Sequence, residues 1–362
     1  MKLTVTQENL SQALNTVSKV ASSRSSLPIL SNVLIKTVEN RLLIASTDLD
    51  IAVSHVIGAK VSKEGSITVP ARLMQDYVSS LPSSTLNLSL EGNTLHIKTD
   101  HHSSTINGTP ADDFPVMPTI EKAQKLSLSS KVFKDTLTQV LFAASSDESR
   151  PILNGLYLHA SEGELYAAAT DSYRLAEKRV GVQAEDLSIV IPARSLQEVL
   201  RVLKDSEEPM SLEYDDQQAQ INIGSVTVVT RLIDGVYPDY RKLLPTEFES
   251  TAKVAKKDLQ EITKVSSLFA REAAGGITLS LEAQGEISIR SIASQVGENT
   301  AVAKADVTED SVITLNSRYI LDALNVVEGD NIEVNIKGKL DPLLIRDLDN
   351  DDYLHIVMPV KS

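Results

Sequence analysis

The chain has 362 residues, 42% of them hydrophobic, with 49 acidic against 35 basic side chains, a formal charge of −14 and no cysteine. These figures suit a soluble protein with two or three cores, and they exclude disulfides, thiolate metal sites and a cysteine nucleophile. No apolar run reaches the ~18 residues a membrane helix needs, and Met1-Lys2 leads into Thr4, Thr6, Gln7, Glu8 and Asn9 rather than the apolar segment of a signal peptide, so a cytoplasmic location is expected.

Leu10, Leu14 and Val17 stand at i, i+4 and i+7, one stripe of a helix. Val33 and Ile35, then Leu42 and Ile44, alternate on either side of Glu39-Asn40 and predict a hairpin. A second helix is expected after Val69-Pro70-Ala71-Arg72, with Met74, Tyr77, Val78 and Leu81 on its stripe. Proline fits just inside a helix start, where its missing N–H would be unpaired anyway. Leu86, Leu88 and Leu90, followed by Glu91-Gly92-Asn93, predict another hairpin.

The order then begins again. Leu10, Pro28, Asp48, Pro70, Ile97 and Pro115 are answered by Phe133, Pro151, Asp171, Pro192, Ile221 and Pro238, at offsets of 122 to 124. The helical stripes return as Phe133, Leu137, Val140 and as Leu196, Val199, Leu200, Leu203. A fainter third copy offers Leu259, Ile262, Val265, then Gly276 for Gly155, Asn316-Ser317-Arg318 for Pro192-Ala193-Arg194, and Ile320, Ala323, Leu324, Val327. A unit of roughly 120 residues can bury its own core, unlike the 20–50-residue unit of a solenoid. Three like domains are expected, at 1–119, 125–245 and 250–362. Each should be α+β, two helices over antiparallel sheet.

Chemistry is sparse. The acids Asp48, Asp50 and Asp171 would suit general acid–base work, but an acid recurring in equivalent units reads better as a turn or cap. Gly338-Lys339 lacks the upstream glycine of a phosphate loop. The run from Asp347 to Asp352 opens like a calcium loop, yet it has Asp352 where glycine must turn and Met358 where a bidentate Glu belongs. A hairpin turn is expected there. The six histidines show no helical i, i+4 pair, so no metal, cofactor or catalytic role is assigned. Charge is uneven: Lys131, Lys134, Arg194, Arg201, Lys204, Lys253, Lys256, Lys257, Lys264 and Arg271 sit on predicted helices, while much of the acid sits in turns.

Leu27-Pro28-Ile29-Leu30, Thr47-Asp48-Leu49, Val69-Pro70-Ala71-Arg72 and Ala111-Asp112-Asp113-Phe114-Pro115 together resemble the bacterial DNA polymerase III β subunit, the sliding clamp. So do Arg150 to Gly155, Ala169 to Leu175, Asp234 to Arg241 and the closing Val357-Met358-Pro359-Val360. The resemblance spans the chain. It implies a head-to-tail homodimer whose domains close into a ring, helices lining the hole, around double-stranded DNA that is held without base readout. The implied partners are the polymerase III α subunit, an ATP-driven clamp loader, and other polymerases and repair proteins that carry a short clamp-binding motif. A non-catalytic processivity factor follows, with no cofactor.

The resemblance also assigns sites. Arg24 and Arg72 would reach the DNA backbone, with Asp147, Pro151 and Ile152 nearby, although Asp147 is acidic and Pro151-Ile152 stands where aromatic residues occur in relatives. The partner groove would take Leu153, Thr170, Ser172, Tyr173, Arg174, Leu175, Pro238, Lys242 and Leu243. Ile356, Val357, Met358, Pro359, Val360 and Lys361 would close it, with Arg174 and Lys361 holding a peptide carboxylate or carbonyl at the rim. Leu268 and Phe269 would meet the edge strand at Ser104 and Ile106 of the other subunit. Two other readings stay open on sequence alone: a multidomain interaction scaffold without DNA, and a hydrolase whose cleft is unique to one copy, for which Thr170 to Leu175 is the asymmetric segment.

Overall fold

The computed structural model describes residues 1–21, 27–118, 120, 123–204, 208–271, 274–293 and 297–360. The first repeat runs β1 (Lys2–Thr6), α1 (Gln7–Val17), β2 (Asn32–Val38), β3 (Arg41–Thr47), β4 (Ile51–Gly58), β5 (Lys60–Lys63), β6 (Ser66–Pro70), α2 (Ala71–Ser80), β7 (Thr85–Glu91), β8 (Thr94–Lys98) and β9 (Ser103–Asn107). The second runs β10 (Gln124–Leu128), α3 (Ser130–Val140), β11 (Gly155–Ser161), β12 (Glu164–Thr170), β13 (Arg174–Gln183), β14 (Ser188–Pro192), α4 (Ala193–Lys204), β15 (Met210–Tyr214), β16 (Gln218–Ile223) and β17 (Val226–Arg231). The third runs β18 (Ser250–Ala255), α5 (Lys256–Phe269), β19 (Gly276–Glu282), β20 (Glu286–Ala293), β21 (Gly297–Val307), β22 (Ser311–Asn316), α6 (Ser317–Val326), β23 (Asn331–Ile336), β24 (Leu343–Asp347) and β25 (Tyr353–Val357).

Local chemistry explains these boundaries. The Thr6 side chain accepts from the Asn9 N–H at 3.3 Å and starts α1, whose Leu10, Leu14 and Val17 are fully buried. Glu39 and Asn40 both take positive φ, 46° and 60°, the backbone a two-residue hairpin turn requires. Two expectations are corrected. Pro70 stands one residue earlier than expected, at the N-cap of α2, where it still pairs in β6 opposite Asn32. On α5 the buried face is Leu259, Ile262, Thr263 and Ser266, while Val265 is exposed. Seven residues from Leu259 return to the same face and six do not. The hydroxyls are tolerated there because Thr263 donates to the Leu259 carbonyl and Ser266 accepts from Asn299.

The chain folds into two compact units that cut across the repeats. One, residues 1–131 and 197–232, holds a five-stranded sheet, β5-β1-β7-β8-β9, and an eight-stranded sheet, β10-β15-β16-β17-β4-β3-β2-β6. The other, residues 132–196 and 233–362, holds a twelve-stranded sheet, β14-β11-β12-β13-β25-β24-β23-β18-β21-β20-β19-β22. Each unit therefore contains one seam where successive repeats share a sheet. In the first, β17 lies antiparallel on β4, with Val228 opposite Val53; in the second, β25 lies on β13, with His355 opposite Ala176. Pairing two edges this way removes both as sites of wrong association.

Candidate partner-binding groove

The turn from β12 to β13 is built by its own side chains. Thr170 Oγ1 donates to the Arg174 carbonyl at 2.6 Å and accepts from the Ser172 N–H at 3.1 Å. Asp171 Oδ1 accepts from the N–H groups of Tyr173 and Arg174, both at 2.9 Å. These bonds hold Ser172 at a φ of 77°. Thr47 and Asp48 make the same bonds in the first repeat, where Leu49 has a φ of 82°. The recurring acid is a turn former, as its recurrence suggested.

Below this turn lies a buried apolar floor. Leu153, Leu175 and Ile356 pack with Ala168, Val190, Tyr237, Tyr240 and Leu344, while Ile152 and Met358 lie partly buried against them. Val357 is fully buried beside Ile356. The exposed apolar groups are Tyr173, Leu243 and Val360, at 64%, 55% and 43%, together with Pro238. Backbone bonds fix the chain end against this surface: the Met358 N–H donates to the Tyr173 carbonyl at 2.8 Å, and the Val360 N–H to Thr314 on β22 at 2.9 Å. Lys242 is exposed and pairs with Asp239 at 2.7 Å. Lys361 lies outside the described residues.

Arg174 differs from the expectation of a rim ligand. Its side chain is 8% exposed. It pairs with Asp171 at 3.1 Å and with Asp322 of α6, donates to the Phe142 carbonyl at 2.8 Å, and lies over the rings of Phe142 and Tyr319. A buried cation must be neutralised and hydrogen-bonded in place, so Arg174 braces the turn, with one N–H of each of its three nitrogens already bonded within the fold.

A second anchor lies beneath the loop that carries Pro238, Lys242 and Leu243. Tyr237 and Tyr240 turn inward. Tyr237 stacks on Tyr157 with ring centroids 4.5 Å apart, and Tyr157 stacks on His159 at 4.6 Å. Tyr240 Oη lies 2.7 Å from His159 Nε2 and donates to the Glu177 carboxylate, which also pairs with Arg241 at 3.3 Å. Burial, and then the Glu177 charge, push the Tyr240 phenol up, so its proton stays in place to donate. Burial and Arg241 depress His159 to about 4, leaving it neutral. Sequence reading missed this cluster; the aromatic spacing in Val236-Tyr237-Pro238-Asp239-Tyr240-Arg241 is the signal that marks it.

The remaining predicted residues are scattered. Arg24 lies outside the described residues. Arg72 projects from the start of α2 with its side chain 96% exposed, 3.9 Å from Asp76. Asp147 accepts from the Ser149 N–H, which holds its carboxyl below the usual carboxylate range, and Pro151 is exposed. Ile152 does not share that exposure: its side chain packs on the groove floor and faces Gly235, because burial rewards an apolar group there. Leu268 is exposed and Phe269 half-buried on α5. Ser104 is half-buried on β9, the edge of its sheet, whereas Ile106 is buried in its own unit at 5% exposure and offers a partner only its backbone. Among the described residues the six α-helices carry ten basic against seven acidic residues in a chain whose net charge is −14, so positive charge is concentrated on them.

Three tandem repeats of paired helices on antiparallel sheet, fused by like seams, define a clamp-type protein. Family models for the DNA polymerase III β subunit match throughout: the N-terminal domain at residues 1–118, the central domain at 127–239 and the C-terminal domain at 241–361. The chain belongs to the DNA polymerase III β-subunit family, the sliding clamps that serve bacterial replication as non-catalytic processivity subunits. The β sliding clamp of Staphylococcus epidermidis is 27% identical over 375 residues, covering all of both chains. The crystal structure of the Bacillus subtilis sliding clamp matches with a TM-score of 0.95 at 30% identity, over 100% of this chain and 99% of that one. That of the C. crescentus clamp, with PEG bound to a region proposed for β-motif tethering, matches at 0.93 and 26% identity, over 100% and 99%. A scaffold unconnected with DNA is not favoured by these relatives, nor is a hydrolase.

Proposed function

We propose that two copies of this chain close head to tail into a ring around double-stranded DNA, and that the groove over Leu153, Leu175 and Ile356 tethers the polymerase III α subunit and other motif-bearing partners. An ATP-driven loader would open the ring. The observation that carries the ring is the repeated seam. β17 docks on β4, and β25 on β13, in the same register; the corresponding strands left over are β9 and β21. β9 ends its sheet, and among the described residues β21 is covered on its second side only at Ala305, Asp306 and Val307.

If the third seam keeps the register of the other two, Ser104 lies opposite Asn299 of the other copy, with Ser103 facing Thr300 and Thr105 facing Glu298. In the β17 seam, Arg231 N–H donates to Asp50 and Ser225 accepts from Val56, so odd-numbered residues face the seam. On β9 the equivalents are Ser103, Thr105 and Asn107, while Gly108 bonds inward to Asn93. Thr105→Pro therefore removes a seam donor without removing a bond within its own sheet. Sedimentation should show a folded monomer for this variant and for Leu268→Ala with Phe269→Ala; loss of folding without dissociation would assign those side chains to their own core instead.

DNA contact rests on exposed helix cations such as Arg72. Arg72→Ala is expected to lower the slope of log affinity against log salt by ~0.9 for each phosphate that the arginine neutralises, equally for all sequences. An unchanged slope in a salt titration would remove Arg72 from the DNA face.

A further inference from the structure

The His159–Tyr240–Glu177–Arg241 cluster lies under the groove loop, and the first repeat forms the same strands without a counterpart to it. The first repeat has the same strands and turn with Lys36, Met117, Ser54 and Pro118 at the four corresponding positions, each 123 residues earlier. Met117 packs there against an apolar cluster of Leu34, Ala45 and Phe114, an uncharged version of the same layer. In the second repeat Glu177, 6% exposed, is instead placed under the loop, where it accepts from Tyr240 and pairs with Arg241. Arg241 also donates to Ser161 Oγ at 2.8 Å and lies over the Tyr166 ring at 4.0 Å. A buried carboxylate costs stability unless fully satisfied, so a satisfied one fixes geometry.

We infer that Tyr240 and Glu177 are positioning residues for partner binding: their buried hydrogen bond fixes the wall that carries Pro238 and Leu243. The neighbouring positions explain how. Tyr240 points inward while Lys242 and Leu243 point out, and Leu244 N–H closes the short helical turn on the Arg241 carbonyl at 3.1 Å. β13 thus braces both sides of the groove, with Arg174 at the turn and Glu177 at the loop. Apolar packing such as that of Met117 in the first repeat is non-directional, whereas a hydrogen bond with fixed geometry gives the loop a single seat.

This inference rests on the groove reading, and the test separates the two. Calorimetry of a polymerase-tail peptide is run on wild type, Met358→Ala, Leu243→Ala, Tyr240→Phe and the two doubles that combine Tyr240→Phe with each alanine. Tyr240→Phe keeps the ring and its packing, and should weaken binding about tenfold. That loss should shrink in the Leu243→Ala background and persist in full with Met358→Ala, because of these two side chains Leu243 rides on the braced loop and Met358 does not. Unchanged affinity for Tyr240→Phe, or the same loss in every background as a merely structural role gives, overturns the inference while the groove stands. If Met358→Ala and Leu243→Ala both bind like wild type, the groove reading falls and takes this inference with it.

Discussion

His355→Leu is expected to make the chain markedly more tolerant of acid, by about 2 kcal/mol at pH 5 relative to pH 7.5. His355 is fully buried on β25 at the seam with β13, stacked on Phe142, and neither ring nitrogen has a hydrogen-bond partner among the described residues. Burial, and then the Arg174 charge, depress it to about 3. Because the folded value lies below the unfolded one of ~6.5, the unfolded chain takes up the proton first. Stability is therefore present in full above about pH 6.5, falls by about 1.4 kcal/mol per pH unit below it, and levels off only near the folded value. His159, depressed to about 4, adds a similar loss over the upper part of that window. Leucine fills much of the space and has nothing to protonate. Urea midpoints at fixed protein concentration, at pH 7.5 and 5, should show the variant losing less than wild type; parallel losses would place the acid sensitivity elsewhere.

Met358→Ala should weaken a polymerase-tail peptide by about 1–3 kcal/mol while leaving the fold and the dimer intact. Met358 packs on the floor with Leu175 and Ile356, and its unbranched thioether adapts to different apolar anchors. The segment keeps its place after truncation because it is held by the Met358 N–H on Tyr173 and by the buried Ile356 and Val357. Equal calorimetric affinities for wild type and variant would reject the groove.

Much of this was legible in the chain. The stripe Leu10, Leu14, Val17 and the turns at Glu39-Asn40 and Thr170-Asp171 are set by neighbours within a few residues, so periodicity and turn chemistry found them. The third repeat was blurred because Thr263 and Ser266 occupy buried positions with their hydroxyls satisfied inside the fold. Arg174 was only half legible: its ion pair with Asp171 is local, but its second partner, Asp322, is 148 residues away and only the fold brings it there. The Tyr240–Glu177 bond hides in the same way, across 63 residues. The seams, too, belong to strand order, which only the fold supplies.

The ring rests on one register, and the absence of cysteine makes that register directly testable. Ser104 and Asn299 form the non-hydrogen-bonded pair of the proposed seam, where opposing Cβ atoms come within ~4.5–5.5 Å. Both are half-buried, and Val53 and Val228 hold the same relation inside the chain. Ser104→Cys with Asn299→Cys should, on mild oxidation, give a reducible species of twice the chain mass in denaturing gels. Ser104→Cys with Ala301→Cys should stay monomeric there. Cross-linking at the slipped position, or none at Ser104 and Asn299 in a protein that sediments as a dimer, would contradict a ring closed by the third seam.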